Sequence, residues 1–486
     1  MTAAAVLAGV AASVLAGLRW LRVAQREHYL AGSVTRFAGR WWGGVGPNRL
    51  LAVAVALGVL GTLVRPFAGL VAAVAVAVGP FGLRVVGRSP APLAWTRRLR
   101  TLAAVWVGLQ LLVLLVGALV GRPALAAAAG AAAVPLLVDA ALAITRPLED
   151  RLAQRFVDAA RTRLRSIRPT VVAITGSYGK TSTKGYVAHL VGGSRTVAAS
   201  PRSFNNRAGL ARAVNESLAP GTDVFVAEMG TYGPGEIAEL CAWVQPSISV
   251  ITAIGPVHLE RFGSEDRIVE AKSEILATAQ VAVLNVDDPR LAVLADQVEA
   301  QGKKVVRCRA ADVEPFLDAS DNDAPPTNVA CAVAVALELG VPKETVLERV
   351  RSLPVAPNRL TTSTGAGGFT ILDDTYNSNP AGVRRARARL EKAGGEKRAV
   401  VTPGMVELGP RQRRENVELA KEAAAVATHL VVVGHTNRVA LLEGAAGTSL
   451  AVVTVEDRNA AVAWVKANLG PGDSVLYEND LPDHYP

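Results

Sequence analysis

One short segment carries the residue types that bind a phosphate. It follows a β-branched run at residues 170–174 and precedes a helical pattern. Its residues are Thr175, Gly176, Ser177, Tyr178, Gly179, Lys180, Thr181 and Ser182. The glycines let backbone N–H groups approach a phosphate, the lysine can reach the β- and γ-phosphates, and the threonine hydroxyl can bind magnesium. Ile174 stands where the longer nucleotide-binding motif has its first glycine, and an ordinary strand-to-helix turn is the alternative.

The elements around this loop predict an α/β architecture. From residue 170 onwards, short β-branched runs alternate with helical stretches, which is typical of βαβ units and parallel sheets. In the last third, runs at 369–372, 398–402, 430–433, 450–453 and 474–476 alternate with alanine-rich helices and predict a second, doubly wound domain. A hinge between the two domains is expected at residues 354–357.

The net charge of +10 and the pI of about 9.8 first suggest a nucleic-acid partner. Residues 1–150 hold 14 arginines and four acids, however, so the remaining 336 residues balance 38 basic against 38 acidic side chains. The excess lies in the apolar third, so no nucleic-acid partner is predicted. The three cysteines lack metal-ligand spacing and pair into no disulfide framework, which indicates a reduced cytosolic setting.

Apolar runs at 2–18, 50–64, 67–86, 102–120 and 124–144 predict a multi-span membrane domain at residues 1–146 with about five helices. Six arginines lie between the first and second runs and five between the third and fourth, whereas the turns after the second and fourth runs hold one each. The positive-inside rule then gives five crossings and places everything after Arg146 in the cytoplasm. The short paired runs leave re-entrant hairpins as the alternative.

Two further features accompany the membrane region. Asp139 lies within the last apolar run, where an acid marks either a functional site or a contact between helices. Residues 147–168 combine apolar positions at helical spacing with five arginines and predict an amphipathic juxtamembrane linker helix that lies on anionic lipid.

The phosphate loop and the segments that follow it resemble the Mur ligase family, whose members are ATP-dependent amide ligases of peptidoglycan precursor synthesis. The MurF type, which joins D-alanyl-D-alanine to a UDP-linked muramoyl tripeptide, has the most similar pattern. Segments at 205–209, 226–230, 252–259, 271–275, 284–288, 373–380 and 404–409 carry the match in family order. The resemblance implies a P-loop Mur ligase central ATP-binding domain at residues 169–357 and a Rossmann-like C-terminal domain at 358–486.

The same resemblance implies the roles of several side chains. ATP would phosphorylate an acceptor carboxylate, and an amine would attack the acyl phosphate. Glu228 would bind Mg²⁺ with Thr181, His258 would serve a second Mg²⁺, and Lys272 would be carbamylated and become an anionic metal ligand. Taken singly, Glu228, His258 and Lys272 are each more often an ordinary surface side chain or one hydrogen-bonded to its neighbours. Lys180, His258 and Lys272 are the expected catalytic residues.

Nucleotide and substrate contacts are expected farther along. The residues implied for ATP, beyond the phosphate loop, are Asn328, Arg359, Asp374 and Tyr376; Thr327 stands where the family has a histidine. The residues implied for substrate are Asn205, Asn206, Asn377 and Asn379, although asparagine also favours turns without any ligand.

Two departures from the MurF type qualify this interpretation. The membrane region replaces the UDP-sugar-binding domain, so the acceptor is either lipid-linked or UDP-linked. The acidic tail after residue 476 replaces a Lys-Gly-Ser ending. It either frays or folds back with Glu478, Asp480 or Asp483 towards an amino group.

The leading hypothesis is a membrane-anchored ligase of a cell-envelope precursor, with an amino-acid or peptide amine as second substrate. A poly-γ-glutamate-synthase-like ligase and a non-catalytic ATP-binding membrane scaffold are the alternatives.

Overall fold

The structure is a computed structural model that describes residues 2–84, 92–201, 204–313, 317, 324–354, 360–376 and 378–486. The chain forms a helical domain, a central α/β domain and a C-terminal α/β domain. The helices of the first part are α1 (Thr2–Arg26), α2 (Ser33–Gly44), α3 (Gly46–Gly61), α4 (Gly69–Val78), α5 (Arg97–Leu119), α6 (Pro123–Ala132) and α7 (Val134–Ile167).

Helix length limits how many times the described residues could cross a membrane. Two described helices, α1 and α5, are long and apolar enough, and the number rises to four if each of two sharply bent helix pairs counts as one span. The five predicted crossings therefore exceed what helix length supports. The apolar run at 124–144 is divided between α6 and α7, which meet at a bend of 74°. Helices α3 and α4 have 16 and 10 residues, fewer than the roughly 20 that span a bilayer.

Asp139 caps a neighbouring helix. Its carboxylate accepts hydrogen bonds from the backbone N–H groups of Gly32 (2.9 Å), Val34 (3.3 Å) and Thr35 (2.7 Å) at the start of α2. The first N–H groups of a helix have no partner within it, and a negative charge there also compensates the helix dipole. Of the two interpretations of Asp139, the structure favours the contact between helices.

The substitution Asp139→Ala is expected to lower the free energy of unfolding by about 1–2 kcal/mol, because three N–H groups lose their acceptor. Thermal unfolding of the purified chain in detergent measures this loss. Asp139→Asn keeps one acceptor oxygen and should lose less. Reduced turnover at unchanged stability would instead assign Asp139 a role in function.

Helix α7 connects the helical domain to the central domain without a break. It continues through Pro147 for 34 residues, so the predicted linker helix is the second half of a longer element. Val157, Ala160 and Leu164 on this half are buried in the core of the central domain. The predicted apolar face differs from the buried one, since Leu148 and Phe156 remain exposed.

The central domain is a parallel sheet with strand order β2-β3-β1-β4-β5-β6 and helices on both faces. Its strands are β1 (Thr170–Thr175), β2 (Val197–Ala199), β3 (Val224–Glu228), β4 (Ile248–Ile251), β5 (Val281–Asn285) and β6 (Lys304–Cys308). Its helices are α8 (Lys180–Val191), α9 (Arg207–Ser217), α10 (Glu236–Val244), α11 (Leu259–Phe262), α12 (Glu265–Ser273), α13 (Pro289–Ala300), α14 (Pro326–Glu338) and α15 (Lys343–Val350). Because β1 lies between β3 and β4, the carboxyl ends of these three strands meet at one edge, where open sheets bind ligands.

The C-terminal domain has strand order β11-β10-β9-β12-β8-β7, parallel except for the antiparallel edge strand β7. The strands are β7 (Thr361–Thr364), β8 (Thr370–Asp374), β9 (Arg398–Thr402), β10 (His429–Val433), β11 (Ala451–Val455) and β12 (Ser474–Glu478). The helices are α16 (Pro380–Ala393), α17 (Gln412–Ala424), α18 (Arg438–Ala445) and α19 (Arg458–Asn468). The five strands predicted here are present, whereas β7 is additional. The expected hinge falls largely on residues 355–357, outside the described residues.

The tail after β12 folds back against the helical domain. Both carboxylate oxygens of Asp483 accept hydrogen bonds from Arg22, which is fully buried in α1. The indole N–H of Trp41 donates to the carbonyl of His484 at 2.9 Å. Asp480 instead pairs with Arg458 on α19. The tail is therefore held by ion pairs, and its acids at 480 and 483 each face an arginine of this chain.

Candidate active site

The phosphate loop joins the end of β1 to the start of α8. Gly176 and Gly179 have φ angles of 152° and 81°, which side-chain-bearing residues rarely adopt. A Cβ on Gly176 would stand 2.0 Å from the Thr252 hydroxyl, and one on Gly179 would stand 2.2 Å from the amide oxygen of Asn328. Both glycines are thus required by backbone conformation and by close neighbours. The N-terminus of α8 opens onto the loop, as a phosphate site needs.

Three side chains of the loop are held by backbone groups of the loop or of the segment after β4. The Lys180 ammonium donates to the Gly176 carbonyl at 2.6 Å, so it lies over the loop where phosphates would bind. The Ser177 hydroxyl donates to the Gly255 carbonyl and accepts from the Gly255 N–H, both at 3.0 Å. The Tyr178 ring packs against Gly255. These contacts join the loop firmly to the segment that leads to His258.

Glu228 is the last residue of β3, as predicted, and its carboxylate gathers three polar partners. It accepts hydrogen bonds from the Thr181 hydroxyl at 3.1 Å and from the Asn205 amide at 3.2 Å, and it pairs with Lys184 at 2.9 Å. Burial alone would raise the pKa of Glu228, but the charges of Lys184 and Lys180, with hydrogen bonds from Lys184 and Asn205, bring it below its usual value. Glu228 is therefore ionised at neutral pH.

The donor set beside the phosphate loop fits magnesium. Thr181 and Glu228 place a hydroxyl and a carboxylate together, and Mg²⁺ prefers oxygen ligands of this kind supplemented by phosphate and water. Among the described residues no group of three or more His, Cys, Asp and Glu side chains could hold a metal ion by itself. Such a magnesium would then depend on the nucleotide for part of its ligand shell.

His258 contacts the C-terminal domain. Its Nδ1 is hydrogen-bonded to a carboxylate oxygen of Glu407, whose second oxygen accepts from Arg261 at 3.2 Å. Burial would raise the pKa of Glu407, but the hydrogen bond and charge of His258 and the charges of Arg261 and Arg40 lower it to about 2. Glu407 therefore stays ionised and fixes the imidazole at the junction of the two α/β domains.

Lys272 lies on α12 and is only 4% exposed. Burial, reinforced by the charge of Lys180, lowers its pKa well below the usual lysine value. A neutral amine can react with carbon dioxide, which is the chemistry that the expected carbamylation requires. The structure thus brings Lys272 into the electrostatic environment of the phosphate loop.

A cleft of about 630 Å³ lies between the central and C-terminal domains. Tyr178, Gly179 and Ser182 of the loop line one side. The other lining residues that bear on a nucleotide are Thr327, Asn328, Arg351, Asn379, Arg385 and Arg389. Its size and its arginines suit a nucleotide whose phosphates extend to the loop.

Asp374 and Glu478, the last residues of the paired strands β8 and β12, form a buried acidic pair. The carboxylate of Asp374 accepts the N–H of Leu360 at 3.1 Å, and Glu478 accepts the Ser378 hydroxyl at 2.5 Å. Burial and the charge of Asp374 raise the pKa of Glu478 above its usual value. Tyr376 is 42% exposed. Arg359 and Asn377 lie outside the described residues.

The remaining asparagines have local partners. The side chain of Asn206 accepts the N–H of Gly209 and caps α9, and the side chain of Asn379 accepts the N–H of Gly382 and caps α16, each at 2.9 Å. Asn205 donates to the carboxylate of Glu228 and so lies beside the residues that fit magnesium. Substrate contacts of these residues stay predictions.

Several residues at the site were not identified from sequence. Lys184 lies one helical turn after Lys180, a spacing that could have indicated a second lysine facing the same edge. Arg385 and Arg389 share a face of α16 for the same reason. Glu407 belongs to a segment that carried the family resemblance, but no local pattern links it to His258.

Two family models match the chain. The Mur ligase middle domain matches residues 174–322, and the Mur ligase, glutamate ligase domain matches residues 358–477. Together they cover most of the two α/β domains. The matched residues begin after α7, so the helical domain lies outside them, as does the tail.

Curated relatives and solved structures agree with these matches. The UDP-N-acetylmuramoyl-tripeptide–D-alanyl-D-alanine ligase of Mycobacterium tuberculosis is 33% identical over 355 residues, covering 63% of this chain and 69% of the relative. The MurF structure from Acinetobacter baumannii has a TM-score of 0.59 at 26% identity and covers 68% of this chain and 77% of that chain. The MurF ligase of Thermotoga maritima, solved in complex with ADP, has a TM-score of 0.58 at 26% identity, covering 68% and 81%.

Proposed function

The chain belongs to the Mur ligase family and is a MurF-like, ATP-dependent amide ligase; we propose that it extends a cell-envelope precursor at a membrane surface through an acyl-phosphate intermediate. One observation carries this proposal. The phosphate loop, Glu228 and the segment leading to His258 lie at the carboxyl ends of three adjacent strands, at one sheet edge beside the buried Lys272. Phosphate binding and metal binding are thus supported at the same place.

The proposed reaction has two chemical stages. A carboxylate oxygen of the acceptor attacks the γ-phosphorus of ATP, which releases ADP and leaves an acyl phosphate. The nitrogen of the amine then attacks the acyl carbon, phosphate departs, and the amine loses a proton. Charge accumulates on the transferred phosphoryl group, so positioning and electrostatic stabilisation supply most of the catalysis.

Each residue at the site has a separate part in this proposed reaction. Lys180 would turn from the Gly176 carbonyl to the β- and γ-phosphates, and Thr181 and Glu228 would hold magnesium, which would neutralise phosphate charge when bound. Lys272, if carbamylated, and His258 would be the residues to hold a second magnesium, which would add positive charge beside the transferred phosphoryl group. Asn328 and Asp374 contact the nucleoside, and the junction between the α/β domains keeps water away from the acyl phosphate.

The substrates are inferred from the relatives and from the helical domain. The relatives are named as D-alanyl-D-alanine ligases, so we take a D-alanyl-D-alanine-type dipeptide as the first candidate amine. The helical domain stands before the matched residues and contains two to four candidate membrane spans. A lipid-linked acceptor on the cytoplasmic side of the membrane fits this arrangement, with the arginine-rich segments on the same side.

The test uses the purified full-length chain in detergent with magnesium and ATP. Lipid-linked and UDP-linked muropeptides are each combined with D-alanyl-D-alanine, with single amino acids or with no amine. Phosphate release and product mass are measured. The proposal expects phosphate release that requires both substrates, a product mass equal to their sum less one water, and preference for the lipid-linked acceptor.

The other outcomes favour the alternatives. Equal turnover of the UDP-linked acceptor would remove the lipid-linked part of the proposal. Repeated addition of glutamate to one acceptor would favour a poly-γ-glutamate-synthase-like ligase. ATP binding without turnover on any acceptor would favour a scaffold, although a scaffold has no need for the buried Lys272 beside the loop.

A further inference from the structure

The two parts of the chain outside the family matches contact each other. The helical domain precedes residue 174, and the tail follows residue 477. Nevertheless Asp483 is bound by Arg22, and the Nε2 of His484 lies 2.8 Å from a carboxylate oxygen of Glu27, the residue directly after α1. The ring of Tyr485 lies 4.8 Å from that of Phe37. The departures from the MurF type at both ends of the chain therefore form one interface.

This interface continues into the candidate active site through ion pairs. Arg261 lies between two carboxylates: its Nη2 is 3.2 Å from an oxygen of Glu27 and 3.2 Å from an oxygen of Glu407. Glu407 in turn binds Nδ1 of His258. We name the series His484, Glu27, Arg261, Glu407 and His258 the ion-pair chain. It links the helical domain, the tail and both α/β domains.

Exposure changes steadily along the ion-pair chain. The exposed fractions of the side chains, in that order, are 2%, 7%, 11%, 19% and 26%. One end is thus anchored in the protein interior, where ion pairs are least screened, and the other end, at His258, is the most exposed. Contacts of this kind fix orientation more than they add stability.

The short helix α11, which starts directly after His258, is held by the helical domain a second time. Arg36 and Arg40 of α2 approach the carboxylate of Glu260 at 3.5 Å and 2.5 Å. His258 and Glu407 both have left-handed backbone conformations, with φ angles of 57° and 63°. Such conformations persist only where surrounding contacts enforce them.

We propose that Glu27 of the helical domain is a positioning residue for His258, acting through Arg261 and Glu407. The inference rests on the proposed function, since it assigns the helical domain a part in assembling the ligase site. Without the Glu27 carboxylate, Arg261 keeps a single acidic partner, and its Nε and Nη1 have no hydrogen-bond partner among the described residues. Arg261 then keeps Glu407 and the face of the Tyr232 ring, whose centroid lies 4.5 Å from its guanidinium carbon, so it is held less firmly, and Glu407 and His258 lose part of their orientation.

The experiment compares Glu27→Gln with Asp150→Asn in the full-length chain. Asp150 is an acid of α7 whose ion pairs, among the residues that the structure describes, are long, at 3.8 Å and 3.9 Å. We expect Glu27→Gln to lower kcat about tenfold at unchanged KM for ATP, as for other groups that orient a ligand through a neighbour. Asp150→Asn should change neither. His484→Gln should resemble Glu27→Gln, and the double variant should lose no more than either single variant, because both act through one chain.

Hydrogen exchange supplies a readout that does not depend on activity. Exchange of α11 and of residues 404–409 should increase in Glu27→Gln and stay unchanged in Asp150→Asn. Unchanged exchange and unchanged kcat in Glu27→Gln would overturn the inference while leaving the ligase function intact. If the unaltered chain shows no acceptor-dependent turnover, the proposed function fails, and the exchange measurement alone decides whether Glu27 positions the segment around His258.

Discussion

Replacing Lys180 by alanine is expected to reduce acceptor-dependent phosphate release about 10³-fold. Lys180 begins α8 and lies over the phosphate loop, with its ammonium 2.6 Å from the Gly176 carbonyl. No other side chain of the loop carries a positive charge, so the β- and γ-phosphates would lose their nearest cation. Phosphate release is measured with saturating acceptor and amine.

A matched variant separates this effect from general loss of charge or stability. Lys343 is exposed at the start of α15, and Lys343→Ala should leave turnover and thermal stability unchanged. Because Lys180 is only partly buried, Lys180→Ala should fold normally. Turnover in Lys180→Ala above one tenth of that of the unaltered chain would contradict the role assigned to this lysine.

Replacing Lys272 by methionine is expected to reduce turnover about 10²-fold and to increase thermal stability at pH 7. Methionine has a similar volume but cannot form a carbamate, so a ligand of the proposed second magnesium is lost. The gain in stability has a separate cause. Burial and the charge of Lys180 lower the pKa of Lys272 in the folded chain, so the lysine must release a proton to fold in its neutral form.

The gain in stability from Lys272→Met should depend on pH. Between the lowered pKa of the folded state and the ordinary pKa near 10.5, the unfolded chain binds more protons, so the stability of the lysine-containing chain increases with pH. The difference in melting temperature between Lys272→Met and the unaltered chain should therefore be largest near neutrality and shrink as the pH rises.

Scanning calorimetry from pH 7 to pH 9.5 in buffer depleted of carbon dioxide measures this difference. Lys272→Arg is the opposite control, because arginine cannot lose its proton in a protein and should destabilise the fold at every pH. A melting temperature of Lys272→Met below that of the unaltered chain at pH 7 would contradict the interpretation.

Local sequence signals predicted much of the α/β part. The β-branched run before the phosphate loop ends at Thr175, and the loop glycines have the backbone angles that their type suggested. Glu228 ends its strand as expected. These features depend on residues close together in the sequence, so short sequence windows are sufficient to predict them.

Contacts between residues far apart in the sequence could not be predicted from short sequence windows. Glu407 and His258 are 149 residues apart, and Asp139 caps a helix more than 100 residues earlier. Hydropathy likewise cannot tell a straight span from a bent pair, since the run at 124–144 is continuous in sequence and divided in space. A separate linker helix was predicted to begin at residue 147, but α7 continues through Pro147, and its flanks pack on both domains.

The uninterrupted helix α7 acts as a spacer of fixed length. Its 34 residues extend about 50 Å at about 1.5 Å per residue, and β1 with its phosphate loop follows three residues later. Because the helix is continuous, the chain has no flexible linker here, and the ion pairs of Arg40 with Glu260 and of Glu27 with Arg261 hold the segment around His258 against the helical domain. An acceptor at the proposed site would therefore have to fit beside that domain, and the space left there would select substrates as strongly as their chemical groups do.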